Sequence, residues 1–165
     1  MKSRTRTGKE TRSKLGKMPE RILVIEDDDI FAQTFAYALE QFGGGEVMIA
    51  ADSFEAGNLM SQHAFDLVIT DWRLPMLNGF SALRKAEQSL SLDPMAPAEW
   101  FGKHKVPVIV ITACDSSEIE RERRLRGCFH FLGVVSKEQP MKGILEQIGI
   151  LFQNGTAAET TKKAV

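Results

Sequence analysis

Cysteine is scarce in this chain: its 165 residues include only Cys114 and Cys128. Their separation matches neither a disulfide framework nor a zinc site, so we expect a reducing compartment, the cytoplasm. Long apolar runs are also absent. None approaches the ~20 residues that cross a bilayer, and membrane insertion is not expected. Residues 1–18 are basic and polar with no apolar stretch behind them, which is not the pattern of a secretory signal.

Nucleotide-binding glycine loops and histidine metal sites are missing too. No G-x-G-x-x-G or P-loop motif occurs. The glycine triplet at 43–45 lies between a helical pattern and an apolar run, which indicates a helix end followed by a turn. His63, His104 and His130 are far apart without metal-ligand spacing, so we expect structural or surface roles for them.

The formal net charge of −1 hides an asymmetry. Residues 1–18 carry seven lysines and arginines but one glutamate, a net charge of +6, so the remainder sums to −7. We predict a disordered basic tail over 1–19, a folded domain over 20–152 and a flexible tail over 153–165. Nucleic acid, an anionic surface or an acidic partner could attract the basic tail. Only its charge favours this, and direct nucleic-acid binding is not expected.

Five short apolar runs alternate with helical patterns along the folded part. The runs begin at positions 22, 47, 67, 108 and 129 and are mostly rich in β-branched residues. Such runs are typical of strands buried on both faces of a parallel sheet. Apolar residues recur at helical spacing between them, as at positions 31, 35, 38 and 42. We therefore predict an α/β, flavodoxin-like doubly wound fold with five parallel strands, order 2-1-3-4-5, and five helices.

Two segments carry no assigned role at this point. Residues 91–105 contain two prolines and the pair Trp100-Phe101, and they are long for a helix-to-strand connection, so we expect an ordered surface insertion. Residues 118–126 contain four arginines. A solvated helix face with intrahelical ion pairs is the simplest interpretation, and a partner or homodimer surface remains open.

Polar side chains follow the predicted strands where each of them ends. Glu26 and Asp27 follow the first strand, and Asp71 ends the third. Thr112 ends the fourth, and the fifth runs towards Lys137. Ligands of doubly wound sheets bind at the carboxyl ends of the strands, so these groups should converge. Clustered carboxylates repel one another unless a cation neutralises them, and an all-oxygen ligand set suits Mg²⁺.

Three blocks of sequence resemble the receiver domains of response regulators. RILVIEDD at 21–28 is similar to the first strand and its acidic loop, and DLVITDWRLPMLNG at 66–79 to the phosphoacceptor strand and loop. VPVIVITA at 106–113 is similar to the fourth strand with its switch hydroxyl. The blocks arrive in the right order, and the resemblance covers residues 21 to about 152. Each block alone is weak evidence, but the three together are specific.

The resemblance implies a role for each of these residues. Asp71 is the expected phosphoacceptor, with a sensor histidine kinase or a histidine phosphotransfer protein as donor. Asp27, Asp71 and the backbone carbonyl of Arg73 are the expected Mg²⁺ ligands, and Glu26 acts partly through water. Thr112 and Lys137 complete the site. Phosphorylation is expected to remodel a surface that engages a downstream target protein, without turnover of a separate substrate.

The chain departs from the family pattern in several places. Glu26 stands where an aspartate is usual, and Lys137 lacks the proline that commonly follows it. The stretch 127–137, which leads to Lys137, is several residues longer than usual. Counting back from Lys137 places Val134 at the switch-aromatic position, whereas Phe131 fits only if a bulge intervenes.

Two alternatives involve the same residues. A Mg²⁺-dependent phosphatase of the haloacid-dehalogenase type carries a second acid two residues after its nucleophile. Here that position holds Arg73, which cannot exchange the proton at neutral pH. A receiver-like interaction module that works without phosphorylation is the second alternative. Nothing after position 152 is long enough for an output domain, so we expect a stand-alone receiver.

Overall fold

The computed structural model describes residues 18–101, 105–121 and 127–162. Most of the predicted basic tail, His104 and the arginine-rich residues 122–126 lie outside these ranges. The sheet strands are β1 (Arg21–Ile25), β2 (Glu46–Ala50), β3 (Leu67–Asp71), β4 (Val106–Thr112) and β5 (Phe129–Ser136). The α-helices of the described residues are α1 (Asp29–Phe42), α2 (Ser53–Gln62), α3 (Gly79–Leu92), α4 (Ser117–Arg121) and α5 (Met141–Lys162).

The five strands form one parallel sheet in the order β2-β1-β3-β4-β5. This order confirms the predicted flavodoxin-like topology. β1 and β3 are neighbours at the centre, where the direction of winding reverses, so their carboxyl ends meet at the crevice where such folds bind ligands. A two-residue hairpin, in which Arg73–Leu74 pairs with Leu77–Asn78, follows β3 at this edge.

Apolar side chains pack on both faces of the sheet. Leu23, Ile25 and Val68 belong to the cluster beneath α2 and α3, while Ile22 and Ile69 belong to the cluster beneath α1 and α5. All five of these side chains are fully buried. Burial on both faces explains why the strands are continuous apolar runs and do not alternate with polar residues.

Local side chains and backbone mark both ends of α1, and the end at the glycine triplet is the predicted one. The Asp28 carboxylate caps it by accepting hydrogen bonds from the backbone N–H groups of Ile30 and Phe31, both at 3.0 Å. Gly43 ends the helix in the left-handed conformation, with φ of 116°. This cap fixes the first turn of α1 beside the loop that carries Glu26 and Asp27.

α5 is longer than the sequence predicts. A flexible tail was predicted from Gln153, but the helix continues to Lys162, so the boundary at 152 does not mark the end of regular structure. Gly155 lies against Leu132 of β5, so the added turns pack on the domain at this point. Among the described helices none is both long and apolar enough to span a membrane, although α5 has 22 residues.

The predicted insertion over 91–105 is anchored by one tryptophan. α3 continues to Leu92, and a 3₁₀ turn follows at Ala98–Phe101. The indole N–H of Trp100 donates to the backbone carbonyls of Met60 at 2.7 Å and His63 at 3.1 Å. Trp100 is buried in the core, whereas Leu92 and Met95 are exposed, so the described part of the connection lies on the surface and is held by one buried side chain.

β5 contains a bulge that takes up one residue of its added length. Val108 pairs with Phe131 and Ile109 with Gly133, so one extra residue, Leu132, is accommodated between them. Phe131 is half-buried and packs on Phe80, with ring centroids 5.2 Å apart. Val134 instead lines the same open depression as Thr112.

Candidate functional site

Asp71 and Glu26 lie at the carboxyl ends of the two central strands. Asp71 is the last residue of β3, and Glu26 follows β1, its N–H donating to the Ala50 carbonyl at 2.9 Å. Only 8% of Asp71 and 2% of Glu26 is exposed. The sheet therefore holds two carboxylates at a place where water can solvate their negative charge only in part.

Asp27 joins these two carboxylates to form an acidic cluster. One carboxylate oxygen from each of Glu26, Asp27 and Asp71 lies within 4.8 Å of the others. Asp27 is exposed, so the cluster opens to solvent on one side. Burial raises the pKa of Glu26 above its ordinary value, and the hydrogen bond from Lys137 opposes this shift.

The Lys137 ammonium lies inside the acidic cluster. It donates to Glu26 Oε2 at 2.5 Å and to Asp71 Oδ2 at 2.8 Å. Burial by itself would lower the pKa of Lys137, but these hydrogen bonds raise it above its ordinary value, so the group is a cation at neutral pH. Its backbone N–H donates to the Thr112 carbonyl at 2.8 Å, which continues the β4–β5 ladder by one residue. Because β5 pairs with β4 up to this point, Lys137 reaches the site despite the longer approach.

Thr112 and Arg73 flank the cluster. Thr112 is buried at the end of β4, and its hydroxyl oxygen accepts a hydrogen bond from the Cys114 N–H at 3.0 Å. The Arg73 backbone N–H donates to Asp71 Oδ1 at 3.3 Å, while its side chain points to solvent. All six predicted site residues therefore lie at one edge of the sheet.

The loop after Asp71 is shaped by Asn78 and Gly79. The Asn78 side chain caps α3 by accepting from the Ser81 N–H at 2.8 Å, and the Gly79 N–H donates to the Trp72 carbonyl at 3.0 Å. A Cβ on Gly79 would lie 2.5 Å from the Asp71 carbonyl oxygen. Only glycine permits this close approach, which folds the loop back against the site.

Comparison with known proteins identifies the family. The family model of the response regulator receiver domain matches residues 22–148. The chain belongs to this family. The "Probable transcriptional regulator ycf29" of Pyropia yezoensis is 29% identical over 116 residues, which cover 70% of this chain and 46% of that protein. "Response regulator MprA" of Mycobacterium sp. (strain KMS) is 30% identical over 99 residues, 60% of this chain and 37% of that protein.

Solved receiver domains have the same fold. A receiver domain protein of Methanospirillum hungatei JF-1 superimposes with a TM-score of 0.61 at 24% identity, covering 84% of this chain and 98% of that one. The receiver domain of sensor histidine kinase PA1611 from Pseudomonas aeruginosa PAO1, described with magnesium in its active-site cleft, gives a TM-score of 0.56 at 21% identity. That match covers 81% of this chain and 98% of the neighbour. The receiver chain spans only about half the length of the first curated relatives that it matches.

Family membership confirms the recognition of a two-component signalling module. Receiver domains are signalling domains that work with histidine kinases and downstream effectors, and the family binds Mg²⁺ in its acidic cluster. The three carboxylates grouped here offer oxygen atoms of the kind that this ion prefers.

Two aromatic residues near the site were not predicted to belong to it. The Lys137 ammonium lies 4.4 Å from the centroid of the Phe31 ring, a residue that helical spacing placed in the core. The Trp72 indole N–H donates to Glu118 Oε2 of α4 at 3.3 Å. The sequence shows that Trp72 adjoins Asp71. It does not show that Phe31 contacts Lys137 or that Trp72 contacts Glu118, because each contact joins segments more than 40 residues apart.

Proposed function

We propose that Asp71 accepts a phosphoryl group from a phosphohistidine of a sensor histidine kinase or a histidine phosphotransfer protein. The observation that carries this proposal is the position of the Asp71 carboxylate. It ends a buried strand, lies within 4.8 Å of two other carboxylates and is 2.8 Å from an ammonium. The acidic cluster opens to solvent beside Asp27, and charges of both signs, which phosphoryl transfer requires, surround Asp71.

The transfer is a displacement at phosphorus. A carboxylate oxygen of Asp71 forms the new P–O bond while the P–N bond of the phosphohistidine breaks. The bonding electron pair leaves with the imidazole, which takes a proton from water. Lys137 is close enough to Asp71 to turn towards a phosphoryl oxygen and stabilise its negative charge.

Glu26, Asp27 and Asp71, together with the backbone carbonyl of Arg73, would hold the Mg²⁺ ion. When bound, Mg²⁺ would neutralise the carboxylates and the charge that develops on the phosphoryl oxygens. Thr112 would donate its hydroxyl to the phosphorylated product.

The surface that responds to phosphorylation is inferred to be the open depression beside Thr112. Its volume is about 410 Å³, and Val134, Ser136 and Gln139 contribute to its lining. By counting back from Lys137, Val134 stands where the family has an aromatic side chain. We therefore expect a movement of Thr112 towards the phosphoryl group to change the packing around Val134, and not to rotate an aromatic ring. A downstream protein or a second copy of the receiver is the expected partner, and the cytoplasm is the expected location.

Beryllofluoride, which mimics an aspartyl phosphate, tests this proposal. Titration with Mg²⁺ present should change Trp72 fluorescence saturably, and the change should vanish without Mg²⁺ and in Asp71→Asn. Trp72→Phe identifies the reporter, since Trp100 also emits. Phosphorylation by acetyl phosphate should add one phosphoryl group to the wild type by intact-mass spectrometry and none to Asp71→Asn. A wild type that responds to neither reagent would favour the interaction module that works without phosphate.

A further inference from the structure

The Lys137 ammonium has a third neighbour besides its two carboxylates. Two of its three donors are directed to Glu26 and Asp71, and the ring of Phe31 lies 4.4 Å away on another side. Only 16% of the Lys137 side chain is exposed, so little water competes for the cation at this face. A partly desolvated ammonium over an aromatic face is attracted by the quadrupole of the ring.

Phe31 is held rigidly in the position that makes this contact. Its backbone N–H donates to the capping carboxylate of Asp28 at 3.0 Å, so the first turn of α1 fixes its Cα. Its ring stacks on Phe35, with centroids 5.5 Å apart and planes 23° apart. Phe35 is fully buried in the core. The aromatic face is therefore a fixed wall of the site.

We propose that Phe31 is a positioning residue for phosphoryl transfer, because its ring determines where the Lys137 ammonium lies. This inference rests on the proposed role of Asp71. Neither carboxylate is a constant partner during the reaction, since Asp71 becomes an acyl phosphate and Glu26 is an expected metal ligand. The attraction of the ring does not depend on either event, so Lys137 keeps its place when its ionic partners change.

The test compares rates of phosphorylation by acetyl phosphate at a fixed Mg²⁺ concentration. Phe31→Leu keeps an apolar side chain but removes the aromatic face, and should slow phosphorylation about fivefold to thirtyfold. Phe31→Tyr keeps the face and should restore the rate to within about twofold of wild type. Phe42→Leu is the matched control: it makes the same change on the same helix and core face, away from Lys137, and should leave the rate unchanged.

A second readout needs neither phosphate nor metal. Protons over an aromatic face resonate upfield, so the ε-methylene protons of Lys137 should move downfield in Phe31→Leu and stay upfield in Phe31→Tyr. An unchanged rate in Phe31→Leu, or equal losses in Phe31→Leu and Phe42→Leu, would overturn the positioning role and leave the function of Asp71 intact. A wild type that takes up no phosphoryl group would overturn both.

Discussion

At the scale of single residues, Lys137 compensates two carboxylates that the sheet holds partly out of water. Lys137→Met should lower the free energy of unfolding by about 2–4 kcal/mol at pH 8 in the absence of Mg²⁺, because both acids lose their counter-charge. The loss should shrink at pH 5. Burial has already raised the pKa of Glu26, and removal of the ammonium raises it further, so protonation relieves the repulsion as the pH falls.

Urea unfolding of both proteins at the two pH values measures this difference. Lys142→Met is the control, because Lys142 is exposed and pairs with Glu146 only at 3.8 Å, so its loss should cost under about 0.5 kcal/mol at either pH. A loss in Lys137→Met that grows towards low pH would contradict the assigned ionisation of Glu26.

At the scale of elements, the Trp72 indole joins the loop after Asp71 to α4. Glu118→Ala removes the acceptor of its N–H and should take away most of the fluorescence change that beryllofluoride produces, since the indole no longer senses α4. Glu118→Gln keeps an acceptor oxygen and should retain the change. The exposed Glu138→Ala controls for loss of charge near the site. A full response in Glu118→Ala would show that α4 does not move against Trp72.

The elements also show what the sequence could and could not reveal. The strands were predictable because burial on both faces leaves a continuous apolar run, and the caps of α1 because Asp28 and Gly43 act locally. The bulge in β5 was only one of two possibilities in the sequence, because its place depends on how β5 pairs with β4. The last turns of α5 are polar, a composition that is typical of a flexible tail. Gly155 in these turns lies against Leu132, 23 positions away, and this contact is not visible in the sequence.

The site divides in the same way. The acids were predictable because strand ends of a parallel sheet converge, whatever the details of packing. The position of Lys137 depends on the register of β5 against β4, which the sequence does not show. The contact with Phe31 depends in turn on where the Lys137 side chain ends.

At the scale of the whole molecule, the edge of the sheet at the amino ends of the strands differs in chemistry from the edge at their carboxyl ends. Trp100 packs on Phe65 and Phe129 at the amino ends of the strands, with ring centroids 6.1 and 6.0 Å away. Its insertion closes that edge with apolar contacts. The opposite edge gathers three carboxylates at a cost in self-repulsion. The stability of the receiver should therefore depend on a cation bound at that edge.

Mg²⁺ should stabilise the folded chain through this edge. At roughly ten times its dissociation constant the ion adds about 1.4 kcal/mol, a rise in melting temperature of about 3–6 °C for a domain of this size. Asp27→Asn should have two opposite effects: without metal the variant should melt slightly higher than wild type, because one repelling carboxylate is gone, and its response to Mg²⁺ should largely disappear. Asp29→Asn makes the same charge change in the first turn of α1 and should keep the full response. Thermal unfolding with EDTA and with Mg²⁺ measures both effects, and an undiminished response in Asp27→Asn would exclude Asp27 as a ligand.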